Sequence, residues 1–368
     1  TTKAQALSYS MTDTEIVVSG ATFEIHIPKS GGISAYYFMG YPVLGTVGEG
    51  VTINIWDRDW SSHPTTSAAV TKDPEIKEYD WGLLIKTYSK VELPNKGMFY
   101  EYTTVHRVYK SGAVVISTIV KALKDSDFAG AAILITFPCK YYYNGKFIAY
   151  RQGSVSFSVD SFPPEYNPEA EQEGFVIKHG MLDSGYLALP PEGKINVLVV
   201  FINPPEIKYI EVSDARAWGS DYFYLCDWVA PDWTGLNLIP RSAGDSYNFT
   251  WMIFPHNNGP NFSERFLKIM NEGKAANNYI RKVEKIVKSA KAKADLEKAR
   301  ASLSKLISAI CSGNLDKAEQ FATDAYKYAR SAYSTEATRA GIRYIIIPIV
   351  ICVALYGLAA KKWKGGAP

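Results

Sequence analysis

Histidine and cysteine are scarce in this chain, and their scarcity removes several chemistries at once. The five histidines, His26, His63, His106, His179 and His256, include no HxH or HxxxH pair. Such short spacings are how one element presents two imidazoles to a metal, so no metal site is expected. Four cysteines are spread along the chain and match no zinc spacing. GxSxG, P-loop and GxGxxG signatures are missing, which removes the best-marked hydrolase, nucleotide and dinucleotide classes and leaves no expected cofactor. A net charge of +3 is too balanced to call for a nucleic-acid partner. No unit of about 20–50 residues repeats, which argues against a solenoid or propeller.

What is present is apolar and aromatic. The chain is 47% hydrophobic and 13% aromatic, with 25 tyrosines, a composition far from that of disorder. After an extension over residues 1–12, residues 13–258 read as β-rich. Short alternating or apolar runs such as TFEIHI, VTINIW, GLLIKTYSKVEL, AVVISTIVKAL, AAILITF and INVLVVFI are separated by turn signals, among them Lys110-Ser111-Gly112 and Asn144-Gly145. Strands without intervening helices argue for a mainly β fold, an antiparallel β-sandwich or barrel. Either one large sandwich forms, or two smaller ones meet near Ser161-Phe162-Pro163-Pro164.

Over residues 261–340 the composition turns to Ala, Lys, Glu and Leu. Leu296, Ala299, Leu303, Leu306 and Ile310 form a coiled-coil-like stripe, and Ser312-Gly313-Asn314 interrupts it with a glycine suited to a left-handed cap. A second helix carries Ala318, Ala322, Ala325, Ala329 and Ala332 on one face. The short link favours an antiparallel helical hairpin over a stalk that oligomerises through the leucines.

The apolar run Tyr344 to Ala360 carries no charge and ends at Lys361, Lys362, Trp363 and Lys364. Helical, it would span roughly 25 Å, near the lower limit for a hydrocarbon core. This predicts a transmembrane helix over 343–361 partnered by the lipid bilayer. Tyr344 and Trp363 would be its interfacial anchors, Pro348 a tolerated kink, and Val353 and Leu355 would lie near its centre. Lysines after the segment would place residues 362–368 in the cytoplasm and the preceding chain outside, as a single-pass cell-membrane protein. The Thr1-Thr2 start fits a processed form. Two sequons, at Asn248 and Asn261, are compatible with an external glycoprotein. There Cys139 and Cys226 could form a disulfide. Lys, Glu and Tyr usage leans thermophilic.

The stretch from Phe23 to Ser34, with Pro28-Lys29-Ser30-Gly31-Gly32 at its turn, is followed by Gly40-Tyr41-Pro42-Val43-Leu44. This resembles the opening of the galactose-mutarotase-like super-sandwich. The long paired strands around Tyr100–Arg107 and Ala113–Lys121 and the closing Ala243–Trp251 are similar to it as well. The resemblance covers residues 13–255, and it implies a fold rather than an activity. The order of β ectodomain, helical zone and terminal apolar helix resembles the membrane-anchoring small subunit of archaeal S-layers. A viral envelope spike has the same layout.

The densest chemical candidate is Trp56-Asp57-Arg58-Asp59-Trp60, with His63 close behind. Two carboxylates at i and i+2 of a strand share a face, and flanking tryptophans suit sugar stacking. Asp57 and Asp59, with His106 from a long strand, are the candidate catalytic residues. A salt-bridged loop over packed aromatics explains the same run and is the expectation. Cys226-Asp227-Trp228 and Pro231-Asp232-Trp233 repeat the pairing of acid and aromatic, so Trp56, Trp60, Trp228 and Trp233 are the candidate carbohydrate-binding residues. Tyr141-Tyr142-Tyr143, beside a turn, must expose at least one ring and marks a possible contact face.

Two functions follow. One is a membrane-anchored surface protein with a structural or interaction role, its partners other envelope proteins or itself through the helical zone. The alternative is an anchored carbohydrate-binding or carbohydrate-processing protein on a mutarotase-like super-sandwich. Lack of a compact catalytic set favours the first and leans away from an enzyme.

Overall fold

The computed structural model describes residues 7–151, 154–167, 176–180, 185–190, 195–203, 209–229 and 239–364, the last stretch without side chains beyond residue 339. It divides into two compact units, Thr1–Lys268 with Cys311–Gly313, and Ile269–Ile310 with Asn314–Pro368.

The first unit is built from three antiparallel sheets. A five-stranded meander runs from Ser8–Met11 to Tyr41–Gly45. A nine-stranded sheet is centred on Ser246–His256, which lies between Asn196–Asn203 and Val114–Ala122, the latter pairing in turn with Met98–Tyr109. A six-stranded sheet has the spatial order Val176–Gly180, Tyr209–Asp214, Tyr222–Trp228, Gly130–Pro138, Val51–Trp56 and Ser62–Pro64. Alternation decides which side of each strand is buried. In Met98–Tyr109, the side chains of Met98, Tyr100, Tyr102, Thr104, His106 and Val108 are buried, while those between them are half-buried.

All three sheets share one continuous apolar core, reaching from Ile16 and Ile25 through Ile53, Ile133 and Phe223 to Trp251 and Ile253. Of the two arrangements open from sequence, the single large sandwich is therefore the one formed. The glycine turn at Gly31-Gly32 is buried inside it, with φ of 113° and 77° that exclude most side chains. Ser30 Oγ donates to the Thr66 carbonyl at 2.8 Å. Downstream, Phe262 and Phe266 of the helix Pro260–Glu284 pack their rings on Phe254 at 6.0 Å each.

The second unit is a three-helix bundle rather than a hairpin or a stalk. It is made by the rest of Pro260–Glu284, by Ala290–Cys311 and by Leu315–Lys364. Contacts run Gly273 to Leu306, Lys305 to Phe321, and Tyr279 to Tyr326, which sets the helices alternately up, down and up. The alanine face forms as expected, with Ala318, Ala322, Ala325, Ala329 and Ala332 fully buried. Leu296, Leu306 and Ile310 are buried too. The occupant of the leucine stripe is this chain's own helix before it, so the stripe needs no second copy. Glu336 accepts from the amides of Lys288 (3.1 Å) and Ser289 (2.7 Å), capping the start of Ala290–Cys311.

Among the described residues no helix is long and apolar enough to cross a membrane. This overturns the expected transmembrane helix 343–361 and the single-pass cell-membrane orientation built on it. The physical reason lies in continuity: the apolar run is not a separate element but the end of a 50-residue helix that continues unbroken from the alanine face through Pro348. The side chains of Tyr344, Pro348, Val353, Leu355 and Trp363 lie outside the described residues.

The proposed disulfide also fails. Cys139 and Cys226 are both buried free thiols. Cys139 belongs to the main core, whereas Cys226 belongs to a second apolar cluster with Ala132, Leu134 and Trp228. Cys139 N bonds Asp221 O, five residues before Cys226, a separation of roughly 17 Å along a strand. A disulfide needs Cα atoms within about 7 Å.

Candidate functional site

The strand Tyr222–Trp228 builds the site by alternation. Phe223 and Leu225 enter the main core. Tyr222, Tyr224, Cys226 and Trp228 therefore face the other way. Register places Cys226 opposite Leu134 and Glu211, and Trp228 opposite Ala132 and Tyr209. Small residues leave room for the rings. A Cβ on Gly130 would come within 2.7 Å of the Trp228 ring and 3.5 Å of the Trp60 ring.

The rings gather into a wall. Trp56 and Trp228 lie 5.0 Å apart at 39°, and Trp60 meets Trp228 edge-on at 6.4 Å and 85°. Trp218, at the end of the short turn Ala215–Trp218, covers Tyr224 at 5.8 Å. Trp60 and Trp218 are 50% and 58% exposed, although large aromatics ordinarily seek burial. Together they border an open cavity of about 630 Å³ whose lining also includes Glu49, Glu211, Tyr222 and Cys226. Pockets of roughly 300–1,000 Å³ hold small ligands.

The two carboxylates are held by neutral donors. Glu211 Oε1 accepts from Ser213 Oγ (2.7 Å) and the Tyr224 hydroxyl (3.3 Å), and Oε2 from Trp228 Nε1 (3.2 Å). Glu49 accepts from the Tyr222 hydroxyl (2.9 Å) and from Ser62 Oγ (3.1 Å). Burial pushes the Cys226 thiol well above its ordinary range, and the fields of Glu211 and Glu49 push it further.

Asp57 and Asp59 meet on Lys96, an ion-paired loop, while His106 is engaged elsewhere. Asp57 Oδ1 accepts from the amides of Asp59 (2.9 Å) and Ser61 (3.0 Å), and Oδ2 faces His63 Nε2 at 3.0 Å and Lys96 Nζ at 3.5 Å. Asp59 pairs with Lys96, and Arg58 pairs with Asp127. His106 is buried and donates from Nε2 to the Gly32 carbonyl at 2.9 Å, so it serves the glycine turn. Burial lowers its pKa to about 4, leaving it neutral.

What Asp57 does instead is present Trp60. Trp60 has φ of 62°, a conformation an indole side chain rarely adopts, and its amide bonds the Asp57 carbonyl at 2.9 Å. The Asp57 carboxylate closes the same turn. Burial by itself would raise that carboxyl, but the bonds from His63, Ser61 and Asp59 and the charge of Lys96 outweigh it and hold it at about 2. A depressed carboxyl pKa contributes stability above the unfolded value near 4 and loses it as pH falls through the folded value. Wild type should accordingly lose stability between about pH 4 and pH 2, and Asp57→Asn should flatten that part of the acid unfolding profile. An unchanged profile would show that the turn does not depend on the carboxylate.

Of the sequence candidates for sugar contact, Trp56, Trp60 and Trp228 line one cavity, while Trp233 lies outside the described residues. Glu49, Glu211, Trp218, Tyr222 and Tyr224 were not anticipated. The signal for the tyrosines is the run Tyr-Phe-Tyr-Leu-Cys-Asp-Trp, in which rings with a polar tip fall on one face and Phe and Leu on the other. Asn248 and Asn261 are exposed, whereas Ser263 of the second sequon is buried with Oγ 2.8 Å from His256 Nε2. Tyr142 of the triple tyrosine is buried, and its hydroxyl donates to the Val43 carbonyl at 2.8 Å. Tyr141 stacks on the partly exposed Tyr41. Among the described residues no group of His, Cys, Asp and Glu could hold a metal ion.

No family model and no curated protein matches the chain. Solved structures similar to it include a galactose 1-epimerase from Lactobacillus acidophilus NCFM, at 8% identity and a TM-score of 0.43, over 68% of this chain and 99% of that one. A protein described as an aldose 1-epimerase from Klebsiella pneumoniae is similar at 8% identity and a TM-score of 0.47, over 69% and 82%. An alpha-mannosidase from Enterococcus faecalis V583 is similar at 11% identity and a TM-score of 0.41, over 70% of this chain and 31% of the enzyme. Likeness this distant says nothing about activity, and none of it supports the S-layer domain order.

Proposed function

We propose that the chain is a carbohydrate-binding protein that takes a sugar on the aromatic face of its six-stranded sheet. The observation that carries this reading is the pair of half-exposed tryptophans, Trp60 and Trp218, bordering a cavity that also holds Trp56, Trp228 and two carboxylates. Indole faces suit the apolar faces of pyranose rings, and carboxylates accept bonds from sugar hydroxyls. Binding is proposed rather than turnover because Asp57 and Asp59 are fixed in ion pairs and His106 serves the buried glycine turn. Association through the leucine stripe has less support, since this chain's own helices cover it.

Titration of the intrinsic tryptophan fluorescence with a panel of oligosaccharides tests the proposal. Trp60→Ala and Trp218→Ala should each weaken binding about tenfold or more, as truncating a central aromatic contact does, with little change in melting temperature. A panel that yields no binding, or variants that bind like wild type, would refute it.

A further inference from the structure

The cavity has an electrostatic asymmetry that a plain sugar site does not need. Two carboxylates contribute to its lining, and among the described residues no Lys, Arg or His does. Glu211 is 9% exposed, yet its three hydrogen bonds come from a serine, a tyrosine and a tryptophan, all neutral. Among the described residues Glu49 is likewise bonded by a tyrosine and a serine. Nearby Asp57 shows the ordinary solution, a buried carboxylate matched by His63 and Lys96. His179 lies opposite Glu211 in the strand register, its side chain outside the described residues, and no described Lys or Arg stands on this floor; a buried charge so placed is costly, which leaves its negative potential for a ligand to satisfy. Around the carboxylates stand the rings of Trp56, Trp60, Trp218 and Trp228; indole π systems attract cations and build the cages that recognise ammonium groups. The two attractions act on the same space.

We infer that the cavity selects a cationic sugar, one whose ring carries a free, protonated amine, with Glu211 and Glu49 receiving the ammonium group while the tryptophans stack on the ring. This rests on the carbohydrate reading above and narrows it. Anionic sugars such as uronates are disfavoured by the same field, and N-acetylation removes the charge that the carboxylates match.

The test is a binding titration with four probes: a glucosamine tetramer, an N-acetylglucosamine tetramer, a glucose tetramer and choline. It is run where the sugar amine is protonated and repeated where it is neutral. The expected result is that the glucosamine tetramer binds about tenfold or more tighter than the other two sugars, a preference of about 1.4 kcal/mol. That preference should disappear when the amine is neutralised and in Glu211→Gln. Glu49→Gln reads the same charge independently should Glu211→Gln fail to fold, with melting curves reporting on both. Equal binding of all three tetramers overturns the cationic selection and leaves carbohydrate binding standing. Choline bound with no sugar bound overturns the carbohydrate reading and the amino-sugar assignment with it. Absence of binding by all four probes overturns both.

Discussion

Replacing Asp227 with leucine is expected to stabilise the β unit at neutral pH by about 1–3 kcal/mol, the cost of a buried polar group left without hydrogen bonds. Asp227 lies on the inner side of the strand Tyr222–Trp228, opposite Ile133 and Ile210. It is fully buried, and neither carboxyl oxygen has a hydrogen-bond partner among the described residues. Burial pushes its pKa well above the ordinary carboxylate value, so it is carried into the core protonated. The sign follows from proton linkage. Above the unfolded pKa near 4, the unfolded chain releases this proton while the folded chain retains it, so stability falls as pH rises toward the folded value. The slope for one proton is about 1.4 kcal/mol per pH unit. Denaturant unfolding of wild type and Asp227→Leu across this pH range should show that slope in wild type and its loss in the variant. A variant less stable than wild type at neutral pH would mean that the carboxyl has a role in the core that its isolation does not suggest.

Gly130→Val should damage the ligand face with a moderate effect on the rest of the unit. An added Cβ meets the rigid Trp228 ring at 2.7 Å, and Trp228 is itself packed against Trp56 and Trp60. The indole must swing away or the strand must shift, at a cost typical of overpacking, about 1–3 kcal/mol. Because Trp228 Nε1 also donates to Glu211, the displaced ring would release one of the bonds that hold the carboxylate. Sugar affinity is expected to fall by at least about tenfold, and the near-ultraviolet circular dichroism of the tryptophan cluster should change. Affinity equal to wild type with an altered spectrum would show that the Trp228 ring does not contribute to the site.

Alternation made the sheets legible from sequence, because one-sided burial writes itself into every second residue. The alanine face of the last helix was legible for the same reason, as was Gly313, whose φ of 77° suits a helix end. The number of sandwiches was not legible, since continuity of the core depends on contacts between strands far apart in sequence. Nor was the bundle, because the stripe Leu296–Ile310 looks the same whether an adjacent helix or another copy fills it. The apolar run Tyr344–Ala360 misled through composition alone, which does not distinguish a separate membrane segment from the end of a long helix. At the site, three tryptophans were recognisable by their pairing with acids. Glu49, Glu211 and Trp218 were not, because they reach the cavity from a loop, another strand and a short turn, and only tertiary register unites them.

The most direct test of the site is isothermal titration of the chain and its Trp60→Ala/Trp218→Ala double variant with the best oligosaccharide of the panel. Both rings are at least half exposed and contribute little to the core. Saturable binding by the wild-type chain, lost in a double variant that melts within a few degrees of it, is the result the aromatic face predicts. Binding of equal affinity by both proteins would place the sugar elsewhere and contradict the account.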